Sequence, residues 1–226
     1  MSKKKILCII GESGSGKTMV AEYLQAKYNM LLLESYTDRP QRYEGETGHT
    51  FVTPEEFDTF KAASMIAYTQ FGDYRYCCLE SDLKDVNVYV IDEDGFVMLN
   101  NKWGEQFEIT SLRIHRDLSK RLQSVGEARV LRDNGRFNIA DYDYDYVIHN
   151  STDDKKEVFR FADYVASVVL NGRFYHSIKI LESELAPYYN IYKGYNRKFE
   201  DSDEGRLANA QALDIEEALK VLEDLK

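Results

Sequence analysis

Three cysteines, three prolines and a single tryptophan in 226 residues already exclude several classes of protein. Two of the cysteines, Cys77 and Cys78, are neighbours, so no disulfide framework can be drawn, and a reducing, cytoplasmic setting is expected. Long apolar runs are lacking too. Behind the basic start the apolar stretch covers only 6–10, too short for a signal peptide or a membrane span, and no membrane partner is expected. Positive charge is in deficit, with 29 Lys and Arg against 39 Asp and Glu, a net charge of −10. That balance speaks against a surface built mainly for polymeric nucleic acid, although a local basic pocket is compatible with it. Repeats and low-complexity tracts are missing as well. What is present, 43% hydrophobic and 30% charged residues, is the composition of an ordinary globular protein. The length suffices for one well-buried core with room for a small second module.

The 6–10 run reads as a central parallel strand buried on both faces. It leads directly into Gly11-Glu12-Ser13-Gly14-Ser15-Gly16-Lys17-Thr18, and then into MVAEYLQAKY, whose Val20, Ala21 and Leu24 share one helical side. Strand, glycine-rich turn and helix form the context that G-x-x-x-x-G-K-[ST] requires. The glycines let backbone N–H groups turn inward around a phosphate chain, and the helix N-terminus adds partial positive charge. Gly11, Ser13, Gly14, Ser15, Gly16, Lys17 and Thr18 are therefore assigned to ATP. Lys17 would reach the β- and γ-phosphates, and the Thr18 hydroxyl would ligate Mg²⁺. Asp92, which ends the strand-like VYVID, is expected to hold the metal's water shell; taken alone it equally suits a turn before Asp94-Gly95.

Further strands are expected at 30–33, Met65–Phe71, Val86–Ile91, around 107–114 and at 145–149. Thr53-Pro54-Glu55-Glu56 is a capping box with proline at the first helical position, opening a helix through about Ala63. Segments 117–123 and 128–137 read as helical or lid-like. Segment 152–170 reads as a helix burying Val158, Phe161, Val165 and Val168, ended by Gly172. In SYTDRPQR, 35–42, Asp38 and Pro40 interrupt any helix and give an extended loop, whose paired guanidinium forks suit phosphate or carboxylate. In DYDYDY, 141–146, a strand would place the three aspartates on one solvated face rather than around a metal. After Gly172 the chain turns rich in tyrosine and charge, and it closes on an amphipathic helix with Ile215, Leu219, Leu222 and Leu225 in register. That helix is expected to pack on the domain or on a second subunit, the latter making a homodimer; a regulatory or partner-binding role is the other reading.

GESGSGKT, SYTDRPQRYEGETGHTFVTPEEF, AYTQFGDYRY, VIDEDG and DYVIHN, in this order, resemble the guanylate kinases among the nucleoside-monophosphate kinases, over about 5–170. The second segment is the specific one. The resemblance implies an α/β P-loop NTPase fold: a kinase domain over 1–172 with a parallel-sheet core, a small monophosphate-binding region over about 35–85, a lid over about 116–140, and a helical C-terminal extension over 173–226. It implies that Ser35, Arg39, Arg42 and Tyr76 hold the acceptor's phosphate, with Arg39 and Lys17 also serving catalysis, and that Asn150 lies near the donor adenine. Lid arginines of the family neutralise charge on the transferring group. Arg129 and Arg132, at helical spacing with Arg136, are expected in that role.

The base-reading positions depart from the family's pattern. Ala67 stands where the family has a glutamate that accepts from the guanine edge, and Cys78 where it has a serine or threonine. Val90 replaces the first acid of the strand ending in Asp92. His49 stands in place of a phosphate-binding tyrosine, either donating to phosphate or serving as an ordinary loop histidine, while Cys78 either contacts the acceptor weakly or fills space. The expected activity is ATP- and magnesium-dependent phosphoryl transfer to a nucleoside or deoxynucleoside monophosphate, with small-molecule nucleotides as partners and guanine in doubt. Two other readings use the same residues: a kinase of another phosphorylated small molecule such as a sugar phosphate, and a non-catalytic guanylate-kinase-like binding module. The complete phosphate loop and the arginine-rich lid speak against the last.

Overall fold

Ile6, Leu7, Cys8, Ile9 and Ile10 have no exposed surface. A strand buried on both faces belongs at the centre of a parallel sheet, and that is its place here. The computed structural model describes residues 3–172 apart from 134, 151 and 153. Its elements are β1 (Lys5–Ile10), α1 (Lys17–Tyr28), β2 (Leu31–Leu33), β3 (Ser35–Thr37), β4 (His49–Phe51), α2 (Pro54–Asp58), β5 (Met65–Phe71) and β6 (Tyr74–Leu79). They continue with β7 (Val86–Ile91), α3 (Glu93–Trp103), β8 (Glu108–His115), α4 (Leu118–Val125), α5 (Glu127–Arg132), β9 (Tyr146–His149) and α6 (Lys155–Asn171). Five strands make one sheet in the order β2-β7-β1-β8-β9, parallel at every pairing. A second sheet, β4-β3-β6-β5, is mixed. Helix α3 packs against both β5 and β1 and so ties the two sheets together. One apolar core runs through them, joining Ile6, Cys8 and Ile10 with Ile66, Ala67, Cys78, Leu99 and Trp103. The chain divides into two compact units, Met1–Ala166 and Ser167–Lys226. The expected extension over 173–226 lies outside the described residues.

Several local expectations change. The loop expected over 35–42 begins as a strand, because Ser35, Tyr36 and Thr37 find partners in β4 and β6. The capping box of α2 is present: Glu56 N–H donates to Thr53 Oγ1 at 3.1 Å, and Thr53 N–H donates to Glu56 Oε2 at 2.7 Å. The helix ends at Asp58, well before Ala63, since Thr59 closes the turn through both its N–H and its hydroxyl onto the Glu56 carbonyl. Asp92-Glu93-Asp94-Gly95 reads as a turn in sequence, yet it opens α3. Asp92 caps that helix by accepting from Gly95 N–H at 2.8 Å, and the acids suit the positive end of the helix dipole. Strand β6 escaped the sequence reading, although the Gly72-Asp73 turn before it, with Gly72 at φ +59, is a hairpin signal. The alternating aspartates form no solvated strand face. Asp141–Asp143 is a 3₁₀ turn, and Asp145 accepts from the backbone and hydroxyl of Ser111, both at 2.8 Å. Segment 128–137 is helical only to Arg132, so Arg136 does not share a helix face with Arg129 and Arg132. Among the described residues no helix is long and apolar enough to cross a membrane.

Candidate functional site

The turn between β1 and α1 has the backbone a phosphate cradle needs. Gly14 (φ +80) and Gly16 (φ +102) occupy the left-handed region that side chains disfavour. Gly16 has a second constraint, because a Cβ there would lie 2.6 Å from Asn150 Nδ2. That amide donates to the Ser15 carbonyl at 2.8 Å, so Asn150, just beyond β9, braces the loop as well as lining the cavity in front of it. Lys17 Nζ donates to the Gly11 and Glu12 carbonyls at 2.6 and 3.0 Å. Burial lowers the Lys17 amine to a pKa of about 8, against the opposing pull of the Asp133 and Glu12 carboxylates. A poorly hydrated ammonium among inward-facing loop groups is a seat for an anion. Ser15 departs from its assignment. It is fully buried behind the loop, its N–H donates to Glu12 O, and it does not line the cavity, because the turn folds it inward.

One cavity of about 690 Å³ faces this loop and is shared by most of the residues expected at the acceptor's phosphate. Ser35, Arg42, His49 and Tyr76 all line it, together with Gly11, Ser13, Gly14, Gly16, Lys17, Thr18, Asp92, Arg129, Arg132 and Asn150. Strands β3, β4 and β6 bring Ser35, His49 and Tyr76 side by side, with the His49 and Tyr76 rings 5.6 Å apart, edge to face. Burial and the Arg39 cation push the His49 pKa down, so the imidazole is neutral near pH 7, and its Nδ1 has no hydrogen-bond partner among the described residues. Ser35 Oγ and Tyr89 Oη share a 2.7 Å hydrogen bond at the cavity wall.

Arg39 is elsewhere. It is 6% exposed and does not line the cavity. Its guanidinium forks onto the Glu46 carboxylate at 3.1 and 2.9 Å and lies 5.1 Å from the Phe51 ring centre. A buried carboxylate seven residues on has captured the arginine expected to meet the acceptor phosphate. Glu46 also accepts from the Arg42 N–H at 2.7 Å, so this acid shapes the whole 39–46 loop. Cys78 is also corrected: it has no exposed surface, belongs to the core, and points its Sγ at Asp82 Oδ2, 3.9 Å away. Ala67 opposite it is both core and cavity wall.

The Arg39 contact, and behind it the Arg42 N–H, hold Glu46 at a pKa of about 2, down from 4.5. A depressed carboxylate contributes stability above its unfolded pKa and loses it as pH falls toward the folded value. Melting temperature should therefore drop between pH 4.5 and 2 in part through this group. Glu46→Gln should flatten that portion of the curve; an unchanged slope would show that Glu46 does not carry it.

Helices α4 and α5 and the turn before them reach the loop directly. Arg121 Nε donates to Ser13 O at 3.1 Å, Arg116 to Gly14 O at 3.0 Å, and Arg132 to Ser13 Oγ at 3.3 Å. Arg129 meets the cavity near Arg42 and Arg132; partial burial and those two cations push its pKa down. Arg136 lies 3.5 Å from the Phe71 ring centre, at the tip of the β5–β6 hairpin, and bonds Asp94 at 3.0 Å and Asp92 at 3.4 Å. Thr18 and Asp92 line the same cavity, which gives a hydroxyl and a carboxylate of the hard-oxygen kind magnesium takes. Among the described residues no three His, Cys, Asp or Glu are grouped to hold a metal by themselves, so the residues fit a magnesium that arrives with phosphate oxygens. Sequence reasoning missed Glu46, Thr69, Phe71, Tyr89 and Asp133. Only Glu46, in an acidic-glycine stretch between two arginines and a histidine, carried a signal that local reading could have used.

No family model matches the chain, and no curated protein matches it. Among solved structures, a guanylate kinase from Anaplasma phagocytophilum aligns with a TM-score of 0.54 at 21% identity, covering 74% of this chain and 85% of that one. A sugar kinase from a Janibacter species aligns at 0.42 and 11% identity, covering 74% of this chain and 95% of that one. A fungal RNA kinase aligns at 0.30 and 14% identity, covering 95% and 99%. The first of these, with the glycine-rich turn between β1 and α1 and the all-parallel sheet, makes this a guanylate-kinase-like P-loop fold.

Proposed function

We infer that the chain is an ATP- and magnesium-dependent phosphotransferase whose acceptor is a phosphomonoester, a nucleoside monophosphate with a base other than guanine. The observation that carries the reading is the single cavity with a phosphate loop on one side and Ser35, Arg42, His49 and Tyr76 on the other. Two anion seats facing one space suit transfer between two phosphates. Lys17 and the loop amides would hold the donor's phosphates. Arg42, the Ser35 and Tyr76 hydroxyls and the neutral His49 would orient the acceptor's phosphate. Arg129 and Arg132, on α5 between the two, would balance charge on the transferring group without a covalent intermediate. Magnesium held by Thr18 and Asp92 would supply further neutralisation of the phosphate oxygens.

The remaining acceptor-side wall is Ala67, Thr69, Phe71, Tyr89 and Gly95. The carboxylate beside it, Asp92, is engaged by the Gly95 N–H and by Arg136 and is assigned to magnesium, so among the described residues the wall offers hydroxyls and rings but no further carboxylate or amide to accept from guanine's edge. Losing such an acceptor leaves polar groups unpaired and costs about a hundredfold or more in selectivity. With ATP and Mg²⁺, ADP formation should be fastest on a ribo- or deoxyribonucleotide monophosphate other than GMP and dGMP, by about that factor in kcat/KM. Best turnover on GMP would show that guanine is read by other groups. ATP binding with silence across the panel would remove nucleotides as acceptors.

A further inference from the structure

The backbone N–H of Ser13, in the middle of the phosphate loop, donates to Asp133 Oδ2 at 2.5 Å, a contact spanning 120 residues of chain. Asp133 caps the C-terminal end of α5 and is 6% exposed. Its carboxylate lies 3.9 Å from Arg121 and 3.7 Å from Arg132, and near enough to Lys17 to oppose the lowering of that amine's pKa. A loop amide, two guanidiniums and an ammonium are the groups a phosphate would recruit. Here a side-chain carboxylate takes the amide, pairs with both guanidiniums and acts on the ammonium through its field. The surrounding bonds hold it there, since Arg121 and Arg132 also bind the Ser13 carbonyl and hydroxyl.

We propose that Asp133 is an affinity-determining residue of the donor site, an internal anion that competes with the donor's phosphates for the Ser13 amide and the lid arginines. This rests on the reading of the loop as the donor site. A polyphosphate and the Asp133 carboxylate repel at such range, so donor binding and release of Asp133 from Ser13 are one event. Because Asp133 ends α5, that event also frees the helix carrying Arg129 and Arg132. The chain thereby links arrival of the donor to the placement of its charge-balancing arginines.

Calorimetric titration of MgATP into the wild type, Asp133→Asn and Asp133→Ser tests this. Both variants should bind tighter, by about tenfold or more, since they remove the competitor and the repulsion. Equal or weaker binding by variants that still melt cooperatively overturns the proposal and leaves the phosphotransfer reading standing. Binding by the variants alone supports it. Absence of binding in all three proteins overturns both this proposal and the donor-site reading. Should neither variant fold, hydrogen exchange on the wild type decides. Faster exchange over 127–133 on adding MgATP supports displacement of Asp133, and unchanged or slower exchange overturns it.

Discussion

Lys17→Met should lower phosphoryl transfer by about a thousandfold or more, while the protein itself becomes more stable. The two effects have one cause. Lys17 is held by the Gly11 and Glu12 carbonyls, where burial lowers its pKa to about 8. Its folded pKa lies below the ordinary 10.5, so at neutral pH the charged amine makes the folded state less stable than an uncharged chain would. The residue is partly exposed, which tempers the gain to about 1 kcal/mol, or a melting temperature higher by a few degrees. The same desolvated charge is what phosphate oxygens would neutralise, and methionine fills the space without it. Thermal melting and ADP formation read the two effects separately. A variant that is inactive and less stable would mean that the lysine's bonds to the loop carbonyls outweigh its desolvation, and that Lys17 holds the loop rather than the phosphate.

The second large effect separates two arginines that look equivalent in SYTDRPQR. Arg39→Ala should cost about 3–5 kcal/mol of stability, because it leaves the buried Glu46 carboxylate without its forked partner. Arg42→Ala should change stability by less than about 1 kcal/mol, since its side chain makes a single 3.3 Å contact with Glu46 and is 45% exposed. Its effect should fall on the acceptor instead: Arg42 lines the cavity, and its loss should raise acceptor KM by about a hundredfold with donor affinity unchanged. Chemical denaturation and steady-state kinetics on both variants give the comparison. A fully stable Arg39→Ala protein with a raised acceptor KM would reverse the assignment and return Arg39 to the phosphate.

The phosphate loop was legible from sequence because its chemistry is local. Eight consecutive residues, a preceding apolar run and a following helix suffice to specify backbone geometry, so Gly14, Gly16 and Lys17 are found where the motif puts them. Asp92 was legible as a strand-ending acid, though its main observed bond is the cap of a helix the sequence concealed under a turn-like DEDG. Ser35, His49 and Tyr76 line one cavity because the pairings of β3 with β4 and β6 set them there, and Arg42 joins them from the loop that Glu46 shapes. Arg39 and Cys78 did not. Both share residue type with a functional role, and burial by residues distant in sequence or on another strand decided otherwise.

By itself, the sequence determined the elements whose causes lie within a few residues: the buried central strand, the glycine-rich turn and the capping box of α2. Hydrogen bonding and hydrophobic periodicity act at that range, and no partner is needed to read them. Which charges would be spent inside the fold and which would face the cavity was left to the tertiary structure. Arg39 meets Glu46 under Phe51, Arg136 meets Asp94 beside Phe71, and Asp133 reaches Ser13 across 120 residues. Coulomb attraction between unlike charges depends on the distance and dielectric that folding creates, and neither quantity exists along the chain.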